Sequence, residues 1–119
     1  MEDLKSRTKR LALRIIRLYG TLPKSTEAQV IGRQVLRSGT SVGAHYREGT
    51  RARSTAEFVS KLGGGQQELE ETAYWLELLG ESEIVRHERL AELLNEVDEL
   101  GRILTVCIKN AKAKAKAQQ

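Results

Sequence analysis

The chain is poor in the residues that usually carry chemistry. It has one cysteine, one proline, one methionine and two histidines in 119 residues, and only 4% of it is aromatic. A lone cysteine excludes an internal disulfide framework, and a one-domain length can build a core without one. His45 and His87 fall on different segments, with Cys107 distant in sequence from His45 and set in an apolar stripe. That leaves no metal-ligand spacing and no Cys–His nucleophile pair. Cys107 stands among Ile103, Leu104, Ile108 and Ala111 and reads as a small buried apolar residue. No Glu-x-x-His motif occurs, which removes the di-iron chemistry of helical bundles. No apolar run approaches the roughly 18 residues of a membrane span. The start MEDLKSRTKR has no apolar stretch after its charges to act as a signal peptide. The expectation is a soluble cytoplasmic protein with no metal and no cofactor.

Leu, Ala, Glu, Lys and Arg dominate, a helical composition. Leu4, Leu11, Ile15 and Leu18 recur at helical spacing and predict a first helix from about Asp3 to Tyr19, with Gly20 as its C-terminal cap. Pro23 interrupts. A second helix runs from about Thr26 to Gly49, with Thr26 and Gln29 as a capping box and Ala28, Ile31, Val35, Val42 and Tyr46 on its apolar face. Gly39 and Gly43, four apart, let a neighbouring helix come close. Ser54 and Glu57 form a second capping box and open a third helix, which reaches Leu79 and stops at Gly80. Its stripe is Phe58, Leu62, Leu69, Ala73, Leu76 and Leu79. The clearest stripe, Leu90 to Ala111, gives a fourth helix from about Glu88. The basic tail 112–119, "KAKAKAQQ", either extends that helix or frays. Short links between four amphipathic helices predict an all-α, up-down-up-down bundle over residues 1–111.

Gly63, Gly64 and Gly65 lie mid-helix with no strand before them, so they are not a phosphate loop. They read as a face where a helix or subunit approaches, with a kink or local unwinding there. Tyr74, Trp75 and Leu78 lie off the main stripe of the third helix. A second apolar strip needs a cover, and a second copy of the chain is the simplest one. These six residues are the candidate oligomer interface.

Charge is segregated. Residues 1–53 and 109–119 together carry 16 Lys/Arg against 4 Asp/Glu, and residues 54–108 carry 4 against 12. Glu48, amid Arg47, Arg51 and Arg53, predicts an ion pair at the corner after the second helix. The candidate phosphate contacts are Arg7, Lys9, Arg10, Arg14 and Arg17 in the first helix, and Arg33, Arg37, Arg47, Arg51 and Arg53 in the second helix and corner. Lys109, Lys112, Lys114 and Lys116 add the tail. Two readings stand side by side: a solvated face, and a surface for RNA or another nucleic acid. With so few aromatics, base stacking is poor and binding would be led by the phosphate backbone. In a third reading the charge is purely structural, the acidic helices of one copy pairing with the basic helices of the next.

The stretch RSGTSVGA at 37–44, then Tyr46-Arg47, RARS at 51–54, Ala56-Glu57-Phe58 and WLELL at 75–79, resembles the bacterial four-helix-bundle proteins of the 23S rRNA intervening-sequence family. The resemblance covers nearly the whole chain. It departs at His45, where members often carry Asn, and at Gly64 and Gly65, where they usually carry bulkier residues. It implies a bundle that assembles as a ring, typically a homopentamer, and it implies no enzyme. The related accessory variability determinant of diversity-generating retroelements is a basic pentamer that partners a reverse transcriptase and its RNA. By that relatedness, RNA and a reverse transcriptase are the implied partners.

Overall fold

The computed structural model describes residues 3–118 and consists of four helices: α1 Leu4–Gly20, α2 Thr26–Thr50, α3 Thr55–Glu81 and α4 His87–Ala117. Links of four or five residues fold each helix back on the one before, so the order around the bundle is α1, α2, α3, α4. Facing stripes of Leu11, Ile15, Val35, Val42, Leu62, Leu69, Leu76, Val97, Leu100 and Leu104 fill the axis. The bundle measures 55 × 22 × 21 Å.

The starts of the helices follow side-chain oxygens. Asp3 accepts from the Ser6 N–H at 2.8 Å, and Ser54 accepts from the Glu57 N–H at 3.1 Å. The Glu57 carboxylate in turn accepts from the Arg53 N–H at 3.3 Å, closing the box one residue early. At α2 the cap is Ser25 and not Thr26, with Ser25 Oγ accepting from the Ala28 N–H. Gln29 is drawn elsewhere: its amide donates to the Pro23 carbonyl at 2.7 Å and its oxygen accepts from the Tyr19 hydroxyl at 3.2 Å.

Two glycines expected as stops cap no helix. Gly20 is the last residue of α1, and Thr21 closes it by giving its hydroxyl and its N–H to the Leu18 carbonyl. Gly80 lies inside α3, where an added Cβ would sit 3.2 Å from Leu90 Cδ1. The left-handed residue of that turn is Glu83, at φ 63°. Packing claims Gly80, so the turn is made by a residue with a Cβ, at a local cost of about 1–2 kcal/mol.

α3 runs unbroken through Gly63–Gly65. A Cβ on Gly64 would lie 2.7 Å from the His45 ring, and one on Gly65 would lie 3.3 Å from Leu104 Cδ1. The helix stays regular because its own chain covers two of the three glycines. His45 and Gly64 are thus one packing unit, a larger ring set over a missing side chain. α4 continues helically through residues 112–117.

Candidate nucleic-acid interface

The antiparallel order puts basic α1 beside acidic α4, and basic α2 beside acidic α3. The seams use this. Arg7 donates twice to Glu96, at 2.7 and 3.1 Å, with a third contact to Glu99 at 3.2 Å. Both side chains of the main pair are largely sheltered, at 16% and 18% exposure. The two carboxylates hold the Arg7 guanidinium more firmly protonated than usual. Arg14 approaches Glu92 at 3.7 Å. Across the next seam, Arg37 bridges Glu68 at 3.2 Å and Glu71 at 2.8 Å. Glu48 pairs with Lys61 of α3 at 2.9 Å and not with the arginines beside it in sequence. An α-helix separates residues 48 and 47 by 100°, whereas Lys61 stands directly across the seam.

These pairs divide the sequence-derived candidates. Arg7 and Arg37 are committed to carboxylates of their own chain, whereas Arg14 makes only a long, solvent-screened contact with Glu92. Arg10 is not free either. Lys9 and Arg33 are exposed, on α1 and α2. Arg17 lines a cleft with Thr21 and Arg89. Arg47, Arg51, Arg53, Lys109, Lys112, Lys114 and Lys116 are all exposed and make no ion pair among the described residues.

Those last seven share one end of the molecule. α4, at 31 residues, is about 46 Å long against about 26 Å for the 17 residues of α1, so it overhangs the start of α1. Its final turns run past the α2–α3 link. There Arg53, Ser54, Thr55 and Phe58 face Ala111, Lys114, Ala115 and Gln118 across a cleft of about 450 Å³ that no carboxylate lines. Tyr46 is half-buried near Cys107 and Asp3, and burial raises its phenol above the ordinary value. Of the carboxylates at this end among the described residues, Asp3 caps α1, Glu48 is held by Lys61 and Glu57 caps the Arg53 amide. Asp3 and Glu48 are both held below the usual carboxylate range, the first by the Ser6 amide and the second by Lys61. The end therefore presents a surplus of unpaired positive charge.

The interface candidates separate as well. Gly64 and Gly65 face their own chain, whereas Gly63 is open. Tyr74 is exposed, and Leu78 and Trp75 are half-buried. Trp75 meets Tyr74 edge-on with ring centroids 5.0 Å apart, and its Nε1 is buried without a hydrogen-bond partner among the described residues. Leu13, Ile16, Val30 and Val106 are further exposed apolar side chains. Sequence reasoning missed Lys61 and Arg89. The up-down register carries the signal for both, because residue 89 must fall beside 21 once α4 folds back along α1.

Among the described residues no helix is long and apolar enough to cross a membrane, and no cluster of three or more His, Cys, Asp or Glu could hold a metal. What remains is a helical bundle with its charges sorted by helix, paired in part along the seams, and with seven exposed cations gathered at one end. The class is a small all-α four-helix bundle. The sequence profile of the 23S rRNA-intervening sequence protein family matches residues 3–106, and the chain belongs to that family. A solved structure of similar fold is a protein of unknown function from the S23 ribosomal protein family of Bacteroides thetaiotaomicron. It is 38% identical, covers 90% of this chain and 99% of its own, and superposes with a TM-score of 0.85. Comparison with curated proteins gave no match.

Proposed function

We propose that this protein is a non-enzymatic RNA-binding scaffold that holds RNA phosphates at its basic end. The observation that carries the reading is the clustering of cations: Arg7 and Arg37 are neutralised within the chain, whereas seven exposed cations without ion pairs among the described residues gather at one end. A run of Lys and Arg around a cleft suits the phosphate backbone, whose binding is driven by counterion release. Phe58 is the one aromatic lining the cleft, so affinity for a particular base sequence is low. Assembly into a ring of copies belongs to the same proposal. It rests on the resemblance and on the uncovered Leu13, Ile16, Val30, Tyr74 and Val106. The narrower form, with RNA delivered to a reverse transcriptase in the cytoplasm, rests on the resemblance alone.

The test is the salt dependence of binding to a structured RNA. Each neutralised phosphate contributes about −0.7 to −0.9 to the log–log slope. Replacing Arg51, Arg53 and Lys114 together by Gln should therefore flatten the slope by about two to three units. The same substitutions should leave the helical content and the oligomeric state unchanged. A wild-type protein with no RNA affinity at about 50 mM salt would sink the proposal, since electrostatic binding is strongest when salt is low.

A further inference from the structure

We propose a second anion site, at the opposite end of the bundle, that takes a small phosphomonoester. It goes beyond the RNA reading and does not depend on it. The C-terminal end of α1 and the first turns of α4 border an open cleft of about 240 Å³, lined by Arg14, Arg17, Leu18, Thr21, Arg89 and Leu93. Three arginines thus line one cleft, and no acidic residue lines it. Glu92 approaches Arg14 at 3.7 Å, but its side chain is 91% exposed, so solvent screens that pair. Arg17 makes no ion pair among the described residues. Arg89 is oriented by neutral groups, donating to the Thr21 hydroxyl at 3.0 Å, which itself donates to the Leu18 carbonyl at 2.8 Å. Like charges so gathered repel one another, and a multivalent oxyanion between them relieves the repulsion.

The lining selects the ligand. Guanidinium forks match the oxygen pairs of phosphate. A monoester offers three terminal oxygens and close to two charges, enough for three arginines, whereas a diester offers two oxygens and one charge. Leu18 and Leu93, 6% and 5% exposed, give the ester's tail an apolar floor. No aromatic side chain lines the cleft, so a nucleobase has nothing to stack on.

The experiment is an amide-resolved NMR titration of the full chain at fixed ionic strength and mildly alkaline pH. The probes are glycerol 3-phosphate and, as the diester analogue, dimethyl phosphate. Glycerol 3-phosphate should give saturable shifts centred on Arg17, Thr21 and Arg89, and dimethyl phosphate should bind about tenfold more weakly or worse. Arg17→Gln and Arg89→Gln should each weaken the monoester about tenfold. Arg89→Lys, which keeps the charge and loses the fork, should also weaken it. Both arginines are exposed, and an unchanged spectrum elsewhere verifies the fold of each variant. Absence of saturation, an equal response to dimethyl phosphate, or shifts centred on Arg53 and Lys114 would each overturn the proposal. None of these outcomes bears on RNA affinity at the other end, which is measured separately.

Discussion

The two flanks of α1 meet their neighbours in opposite ways. Toward α2 the seam is made of absences. Gly39 leaves room for Ile15, where an added Cβ would lie 2.8 Å from Cγ1, and Gly43 leaves room for Thr8, at 3.2 Å from Oγ1. Toward α4 the seam is made of long side chains, with Arg7 reaching Glu96 and Glu99, Arg14 reaching Glu92, and Arg89 reaching Thr21. Side-chain size sets how near two helices come, and that spacing decides what can join them. Where backbones nearly touch, the gain is dispersion and buried apolar area. Where they stand apart, charge complementarity has room to act. The same basic helix therefore uses its small and apolar residues on one side and its arginines on the other.

The largest expected effect comes from closing the near flank. Gly39→Val would drive two methyls into Ile15, which is fully buried. Overpacking of this kind costs up to about 3 kcal/mol, at the upper end for a branched residue against a branched neighbour. Chemical denaturation should show it as a lowered midpoint. A midpoint within a few tenths of wild type would mean that α1 and α2 do not pack at this distance.

Breaking the far flank should matter less. Glu96→Gln keeps the shape and removes the charge facing Arg7, at a cost of about 2 kcal/mol, the range for hydrogen bonds to charged groups. The exposed Arg37–Glu71 contact is the internal control, because open ion pairs are worth about 1 kcal/mol or less. Equal losses from Glu96→Gln and Glu71→Gln would remove the distinction between a sheltered and an open pair.

A glycine that faces nothing should behave in the opposite sense. A Cβ on Gly101 meets no atom within 4 Å, and the residue lies inside α4. Gly101→Ala should raise stability by up to about 1 kcal/mol through helix propensity. A loss in thermal melting would indicate that something outside this chain packs against Gly101 in solution.

The smallest effect is electrostatic. Lys61, by its hydrogen bond and its charge, holds Glu48 below the ordinary carboxylate value and is itself held above the ordinary lysine value. A lowered acid contributes stability above its unfolded pKa and loses it as pH falls through the folded one. A raised base contributes below its unfolded pKa and loses it as pH rises through the folded one. The pair is thus intact across the neutral range. Carboxyl NMR should place the Glu48 midpoint lower in the wild type than in Lys61→Ala, and coincident titrations would show that the pair does not form in solution.

Apolar periodicity was enough to mark all four helices, and the Ser54 cap was readable because Glu57 stands three residues on, where a capping box needs it. At α2 the same logic pointed to Thr26, because Gln29 stands three residues after it, but Gln29 is engaged by the Pro23 carbonyl and the Tyr19 hydroxyl, and Ser25 caps. Glycines at 20 and 80 read as stops in a one-dimensional pattern, yet packing governs Gly80 and a threonine closes α1. The sorting of charge was visible in the sequence. Which arginines would be consumed by their own chain was not, because a count of charges carries no register. Placing Arg7 against Glu96 needs the phase of two helices that are far apart in the chain.

That separation has a kinetic side. Three seams join helices linked by four or five residues, whereas the Arg7–Glu96 contact spans 89 residues. Closing a loop costs entropy that grows with its length, so short hairpins form readily and the seam between α1 and α4 closes late. Interactions made after the folding barrier act on escape from the native state and not on arrival. The charged flank of α1 is then a latch: it sets how long the bundle stays shut, while the glycine-lined flanks of α2 set how quickly it forms.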